Sequence, residues 1–413
     1  MRRHHFLSIV SLLIAVCIHT GMCATPFFEK VDVFEGGTDG YKQYRIPGLV
    51  VTAKGTVLAY CEGRKTGKGD WDSIDLFLRR SLDGGKTWEA VKKFSEVPGP
   101  KSRSAVALAQ KKVNPQDVTY NNPVAVIDRE RGAVHLLFCL EYERCFVIHS
   151  DDEGVTFTKP AEITDAFAKF RRNYDWKVIA TGPGHGIQLK NGRLLVPVWL
   201  STGEAGHRPS VVATIFSDDH GKTWQAGELA IPNTAEWINP SETALVELAD
   251  GRVMLNARSE SKPNRRLVAF SPDGAGGWSK TRFADDLNEP VCMGSLQRLS
   301  LKPGSDKNRI LFANPDNLSR ADHKEQPGGS RDRKNLSIKL SYDEGGSWPV
   351  TKTVEPGLSS YSDLAVLADG TILCLYERGR PGGGKLSDLV GLTLVRFNLE
   401  WLTDGKDSWK RLP

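Results

Sequence analysis

An eight-residue pattern, Ser-x-Asp-x-Gly-x-Thr-Trp, recurs along the chain and limits its fold more than any other feature. It stands as Ser81-Leu82-Asp83-Gly84-Gly85-Lys86-Thr87-Trp88, then as Ser150-Asp151-Asp152-Glu153-Gly154-Val155-Thr156-Phe157. It returns as Ser217-Asp218-Asp219-His220-Gly221-Lys222-Thr223-Trp224 and as Ser341-Tyr342-Asp343-Glu344-Gly345-Gly346-Ser347-Trp348. A decayed copy, Ser271 to Trp278, has Ala275 where the Gly belongs and Gly277 where the Thr belongs. The octet has the chemistry of a hairpin turn. The Asp side chain can bond backbone N–H groups of its own loop, and the Gly supplies a positive φ. The terminal aromatic can tuck against the following strand. The copies are too short for an EF-hand loop and lack its closing Glu, so the expected role is structural.

Each copy follows an apolar run such as Ile74-Asp75-Leu76-Phe77-Leu78 and precedes another such as Glu89-Ala90-Val91. Further strand-like runs open on hairpin signals at Asn191-Gly192, Asp250-Gly251 and Asp369-Gly370. Lys54-Gly55 introduces a similar run, and Thr164 to Arg171 reads as a short helix. Glycine is abundant, 40 residues in 413, as suits a chain of many turns. Dividing the length by the octet spacing gives about six units. The expected fold is all-β, a six-bladed β-propeller of four-stranded antiparallel blades, in one domain over 25–413.

Residues 1–24 read as a signal peptide. Arg2, Arg3, His4 and His5 form a basic start, and Phe6 to Ile18 is apolar but too short to span a bilayer. Gly21 to Ala24 offers small residues for cleavage. Cys23 is a candidate lipid anchor, although the large Met22 before it is a poor approach to such a site. The mature protein is expected to be exported, periplasmic or extracellular, with no integral membrane segment. Cys61, Cys139, Cys145, Cys292 and Cys374 lack CxxC or metal-ligand spacing and read as small core residues. The net charge of +5 is spread out, with no long Lys/Arg run. That argues against a nucleic-acid partner and suits an anionic substrate.

Near the start of the mature chain lies Gln43-Tyr44-Arg45-Ile46-Pro47. Period-two alternation puts Tyr44 and Ile46 on one strand face and Arg45 on the other. Pro47 cannot donate to a ladder and is expected at a strand edge or channel rim. A guanidinium on a rigid strand suits an anion receptor.

Together with the octets, this stretch resembles the exo-sialidase (neuraminidase) family of bacteria and animals, from about Phe27 to Leu399. The octets are similar to that family's Asp boxes, or BNR repeats. The resemblance implies that Arg45, Arg258 (in Asn256-Ala257-Arg258) and Arg333 (in Arg333-Lys334-Asn335-Leu336) clamp a substrate carboxylate. Arg331 is the second candidate for the third position. Tyr361, in Ser360-Tyr361-Ser362-Asp363, is the implied nucleophile, and Glu242, in Asn239-Pro240-Ser241-Glu242, its base, with Glu247 as runner-up. A phenol suits this attack, because a carboxylate would meet like-charge repulsion from the substrate's own carboxylate. Asp70, in Gly67-Lys68-Gly69-Asp70-Trp71, is the implied acid/base, with Asp72 close by. Arg64, on the strand leading into that loop, is a further substrate contact. His185, Trp176 and Trp237 are weaker pocket candidates. The implied activity is a retaining exo-α-sialidase acting on sialylated glycans through a tyrosyl-glycosyl intermediate, with no metal or organic cofactor. A trans-sialidase or intramolecular trans-sialidase would use the same residues. A non-catalytic carbohydrate-binding propeller would lack one or more of them.

Overall fold

The structure is a computed structural model that describes residues 24–110 and 114–410. The expected signal peptide, with Cys17 and Cys23, lies outside the described residues apart from Ala24. The fold is all-β and propeller-like. Four sheets and one larger sheet follow one another along the chain. The first runs Gln43–Val51, Val57–Arg64, Ile74–Ser81 and Lys92–Lys93. The second runs Tyr120–Asp128, Ala133–Leu140, Arg144–Ser150 and Ala161–Glu162, with Gly184–His185 added in parallel to its first strand. The third runs Val178–Thr181, Leu194–Ser201, Ser210–Ser217 and Gln225–Ile231. The fourth runs Thr243–Glu247, Val253–Ala257, Arg265–Ser271 and Arg282–Asn288.

The last sheet has seven strands. Its long strand Val350–Val366 pairs over its first part with Lys334–Ser341 and over its second part with Ile372–Gly379. Arg309–Pro315 and Ser295–Ser300 lie on one side of it, Leu389–Phe397 and Phe28–Glu35 on the other. The N-terminal strand Phe28–Glu35 therefore pairs antiparallel with the C-terminal strand Leu389–Phe397, and this ties the two chain ends together.

The core lies between neighbouring sheets. Leu58, Tyr60, Leu76 and Leu78 of the first sheet pack on Leu136, Phe138, Phe146 and Ile148 of the second. Val124 and Leu137 of the second meet Val196 and Ile215 of the third, and Leu195 and Val212 of the third meet Leu255 and Leu267 of the fourth. The fourth meets the seven-stranded sheet through Met254, Val268, Leu296 and Phe312. The circle closes where Leu373, Leu392 and Leu394 pack on Leu49, Val57 and Phe77 of the first sheet. Each such side chain contributes about 1.5–3 kcal/mol of hydrophobic stabilisation.

Every octet joins the third strand of its unit to the fourth, and its Ser is the last residue of the incoming strand. In the first copy, Asp83 Oδ1 accepts from Lys86 N (3.0 Å), Thr87 N (2.9 Å) and Ser81 Oγ (2.8 Å), while Oδ2 accepts from Thr87 Oγ1 (2.6 Å). The decayed copy has no hydroxyl at Gly277, and Asp273 Oδ2 accepts instead from Arg193 Nη1 at 2.8 Å. The expected short helix at Thr164 to Arg171 is a 3-10 helix, Thr164–Arg172. The five described cysteines are buried and free.

One local expectation fails. Ile46 does not share a face with Tyr44. The pairing with Val57–Arg64 slips between Arg45 and Gly48, and Ile46 has φ 58°. This bulge breaks the alternation and turns Ile46 toward Tyr361, Cys292 and Met293, while Tyr44 packs with Phe34 and Phe77. Pro47 sits within the bulge, where no ladder donor is required.

Candidate active site

One pocket gathers Arg45, Arg64, Asp70, Glu242, Arg258, Arg333 and Tyr361. Their elements end at one side of the sheets. Arg64 closes the strand Val57–Arg64, and Glu242 immediately precedes Thr243–Glu247. Arg258 follows Val253–Ala257, and Arg333 precedes Lys334–Ser341. Tyr361 lies within Val350–Val366.

Tyr361 is at the centre. Its hydroxyl donates to Glu242 Oε1 at 2.5 Å and accepts from Arg258 Nη1 at 2.7 Å. Arg258 Nη1 also donates to Glu242 Oε2 at 2.5 Å. The guanidinium carbons of Arg45 and Arg333 lie 5.5 and 5.2 Å from the Tyr361 ring centroid. Burial and then the Glu242 carboxylate raise the Tyr361 phenol well above its ordinary value, against the pull of Arg258 and Arg333. The resting residue is a neutral phenol with a proton acceptor in contact.

The arginines differ in their partners. Arg45 makes a two-pronged pair with Glu377, Nε to Oε1 and Nη2 to Oε2, both at 3.0 Å. Glu377 is fully buried and also accepts from Ile46 N at 2.9 Å. Its burial works to raise its pKa, but Arg45 and these hydrogen bonds outweigh that and hold it below the usual carboxylate range. Arg64 is buried against Glu62 Oε2 (2.8 Å from Nη2) and reaches Asp70 Oδ1 with Nη1 (2.8 Å). Arg333 has no carboxylate partner among the described residues. It donates to Ser360 Oγ at 3.0 Å and to the Val291 carbonyl at 2.8 Å. A half-buried guanidinium without a counter-charge is a receptor for an anionic group.

Asp70 stands on a loop between Arg64 and Ile74. The neighbouring Asp72 is its internal brace, with Oδ2 accepting from Thr66 N and Thr66 Oγ1 (both 2.9 Å). That leaves Asp70, 46% exposed at its side chain, to face the pocket. Desolvation works to raise its pKa, but the charges of Arg64, His207 and Arg45 prevail and hold it well below the carboxylate range.

The other candidates lie elsewhere. Glu247 accepts from Lys190 N at 3.0 Å and, with His185, borders a second cavity. His185 there pairs with Asp363 at 2.8 Å. Arg331 donates to Asn264 Oδ1 (2.9 Å) and the Gly329 carbonyl (2.6 Å) and does not reach the pocket. Trp176 is buried beside Phe167 and under Arg171, so it is a packing residue. Trp237 packs between the third and fourth sheets and does not line the pocket.

Sequence reasoning missed Glu377, Glu62, Tyr142, Trp199, His207 and Ser210. A Glu two residues from Arg64 on the same strand face was a usable signal for Glu62. His207 had none, because it lies on a loop without a motif.

Three comparisons bear on this pocket. The family model described as a BNR repeat-like domain matches residues 102–374. A sialidase of Micromonospora viridifaciens is 30% identical over 404 residues, which cover 91% of this chain and 55% of that one. The chain thus spans about half the length of that relative. Sialidase-2 of Cricetulus griseus is 30% identical over 384 residues, with 86% of this chain and 93% of that one covered. Among solved structures, a Hadza microbial sialidase superposes with TM-score 0.70 at 24% identity, covering 90% of this chain and 69% of the other, and so shares the fold. With its repeats matched and near-complete alignment to relatives of this kind, the chain belongs to the sialidase family of BNR-repeat glycoside hydrolases.

Proposed function

We propose that this chain is a retaining exo-α-sialidase that removes terminal sialic acid from glycoproteins, glycolipids or oligosaccharides. One observation carries the reading: three arginines surround a phenol whose hydroxyl is in contact with a carboxylate. The substrate carboxylate sits on Arg45, Arg258 and Arg333. Tyr361 oxygen attacks the anomeric carbon, and its proton passes to Glu242. The bond to the leaving oxygen breaks as Asp70 protonates that oxygen. A covalent tyrosyl-glycosyl intermediate results. Asp70, now a carboxylate, takes a proton from water, and the oxygen of that water attacks the same carbon. Tyr361 leaves and recovers its proton from Glu242. Two displacements at one carbon retain its configuration.

The low pKa of Asp70 in the empty pocket fits an acid that is loaded by its substrate. An incoming carboxylate on Arg45 and its neighbours adds negative charge, and the covering aglycone removes water. Both push the Asp70 pKa upward.

The wider reading is a six-bladed propeller over 25–413, in which Val350–Val366 is shared by two four-stranded blades. The split pairing of that strand and the octet-bearing units support it. Export of the mature chain is the reading of the N-terminal segment. Among the described residues no helix is long and apolar enough to cross a membrane.

The test is incubation with a sialyl-oligosaccharide, followed by proton NMR and mass measurement. Free sialic acid appearing first as its α-anomer supports the reading. An anhydro product or sialic acid moved to another sugar would replace hydrolysis with transfer. No turnover would leave only a binding role.

A further inference from the structure

We propose that His207 is a positioning residue, one that aims the free oxygen of Asp70 at the leaving group; this rests on the sialidase reading above. Asp70 has two unlike oxygens. Oδ1 accepts from Arg64 Nη1 at 2.8 Å. Among the described residues no hydrogen bond reaches Oδ2, and the ring nitrogen His207 Nδ1 stands 4.0 Å from it. An oxygen engaged by a guanidinium is a poor place for a proton, so the proton that the leaving group receives travels on Oδ2.

The His207 ring is held in place. It stacks on Trp71 with centroids 5.3 Å apart and planes at 26°. Tyr142 lies at 4.7 Å and Trp199 meets it edge-on at 5.3 Å. Trp71 is the residue after Asp70, so the stack fixes His207 and the Asp70 loop to each other. The Trp71 carbonyl accepts from Arg103 Nη2 at 2.8 Å, which anchors the loop from behind. Among the described residues His207 Nε2 is buried without a partner, so Nδ1 is the nitrogen that can act on the pocket.

The gap from 4.0 Å to a hydrogen bond is about 1 Å. The movement required is that of the Asp70 side chain, the loop staying stacked on His207 through Trp71. Gly67 (φ 67°) and Gly69 (φ 142°), both before Asp70 within the loop, hold backbone conformations that favour glycine. A protonated Oδ2 keeps a lone pair, so a neutral imidazole Nδ1–H can donate to it while the proton faces the leaving group. The carboxyl plane is then fixed at both ends, by Arg64 on one oxygen and His207 on the other. His207 itself exchanges no proton with the substrate. It sets the rotation of Asp70 about Cβ–Cγ, and it supports the carboxylate that remains when the leaving group departs.

The consequence is a dependence on leaving group. An aryl oxygen departs with little protonation, whereas a sugar oxygen requires a well-placed acid. The experiment compares kcat/KM of the full chain on 4-methylumbelliferyl sialoside and on sialyllactose. The variants are His207→Asn, whose amide nitrogen occupies the Nδ1 position, and His207→Leu, of nearly the same shape without an N–H. Expected is a rise of about tenfold in the aryl-to-sugar ratio for His207→Leu, with His207→Asn returning most of it. Equal losses on both substrates, or an Asn variant no better than Leu, would overturn the proposal. His207→Phe, which retains the aromatic stack, replaces Leu in the comparison if thermal melting shows the Leu protein unfolded. Absence of sialic acid release by the unaltered protein would instead sink the sialidase reading itself.

Discussion

Arg45 and Arg333 serve the same proposed carboxylate but are embedded differently, and their variants separate on that account. Arg45 neutralises Glu377, which is fully buried. Removing Arg45 strands that carboxylate, and Arg45→Ala should cost about 3–5 kcal/mol in urea unfolding. Arg333 has no such dependent. Arg333→Ala should cost less than about 1.5 kcal/mol in the same measurement, while KM for sialyllactose rises about 10–100-fold. Equal stability losses for the two would refute this division. Tyr361→Phe keeps the ring but removes the attacking oxygen, so kcat on either sialoside should fall about 10³-fold or more with the melting temperature little changed. Because Asp70 is held ionised in the empty pocket, kcat/KM for sialyllactose should climb as pH falls from about 8 towards about 5. A flat profile would count against Asp70 as the acid.

At the scale of the element, the octet is a turn closed by one carboxylate. Asp219 Oδ1 accepts from Thr223 N at 2.9 Å and Oδ2 from Thr223 Oγ1 at 2.6 Å, and Asp219 is not among the residues that line the pocket. Asp219→Ala should lower stability by about 1–3 kcal/mol and leave kcat/KM of the folded protein as it was. Restoring a threonine to the decayed copy is not the inverse of this change. Gly277 has φ 62°, and Arg193 already occupies Asp273 Oδ2, so Gly277→Thr should destabilise. Titration follows from the same geometry. Hydrogen bonds from Thr156, outweighing a small desolvation, hold Asp152 at about 2, and Asp219 is also held at about 2 against desolvation by its Thr223 bonds. A depressed folded pKa means that this stability is present above the unfolded value of about 3.9 and is lost as pH falls toward about 2.

For the whole molecule, closure depends on the two ends of the chain. Phe28–Glu35 is the outer strand of the seven-stranded sheet and pairs with Leu389–Phe397 along most of its length. The pairing also brings Val33 and Phe34 into the cluster that seals the first sheet against the last. Loss of this strand would therefore open both a ladder and a core. The pocket depends on the same closure, since Arg45 comes from the first sheet and its partner Glu377 from the last, 332 residues apart.

The amino-acid sequence by itself determined the turns, the strand content and the repeat. Those interactions are local: a Ser, an Asp, a Gly and a Thr within eight residues satisfy one another whatever surrounds them. Resemblance also named the pocket residues, because Arg45, Tyr361 and Asp70 sit in short motifs. Only the tertiary structure decided their partners. Periodicity treats a charged residue in a strand as exposed and cannot say which distant carboxylate will meet it, so Glu377, 332 residues from Arg45, was invisible as its counter-charge. It also could not foresee the bulge that turns Ile46 to the pocket, which arises where the Glu377 carboxylate takes the Ile46 N–H. His207 belongs to the same class. Its place beside Asp70 is set by three aromatic rings from separate stretches of chain, Trp71, Tyr142 and Trp199, and desolvated contacts of that kind exist only after the sheets have packed.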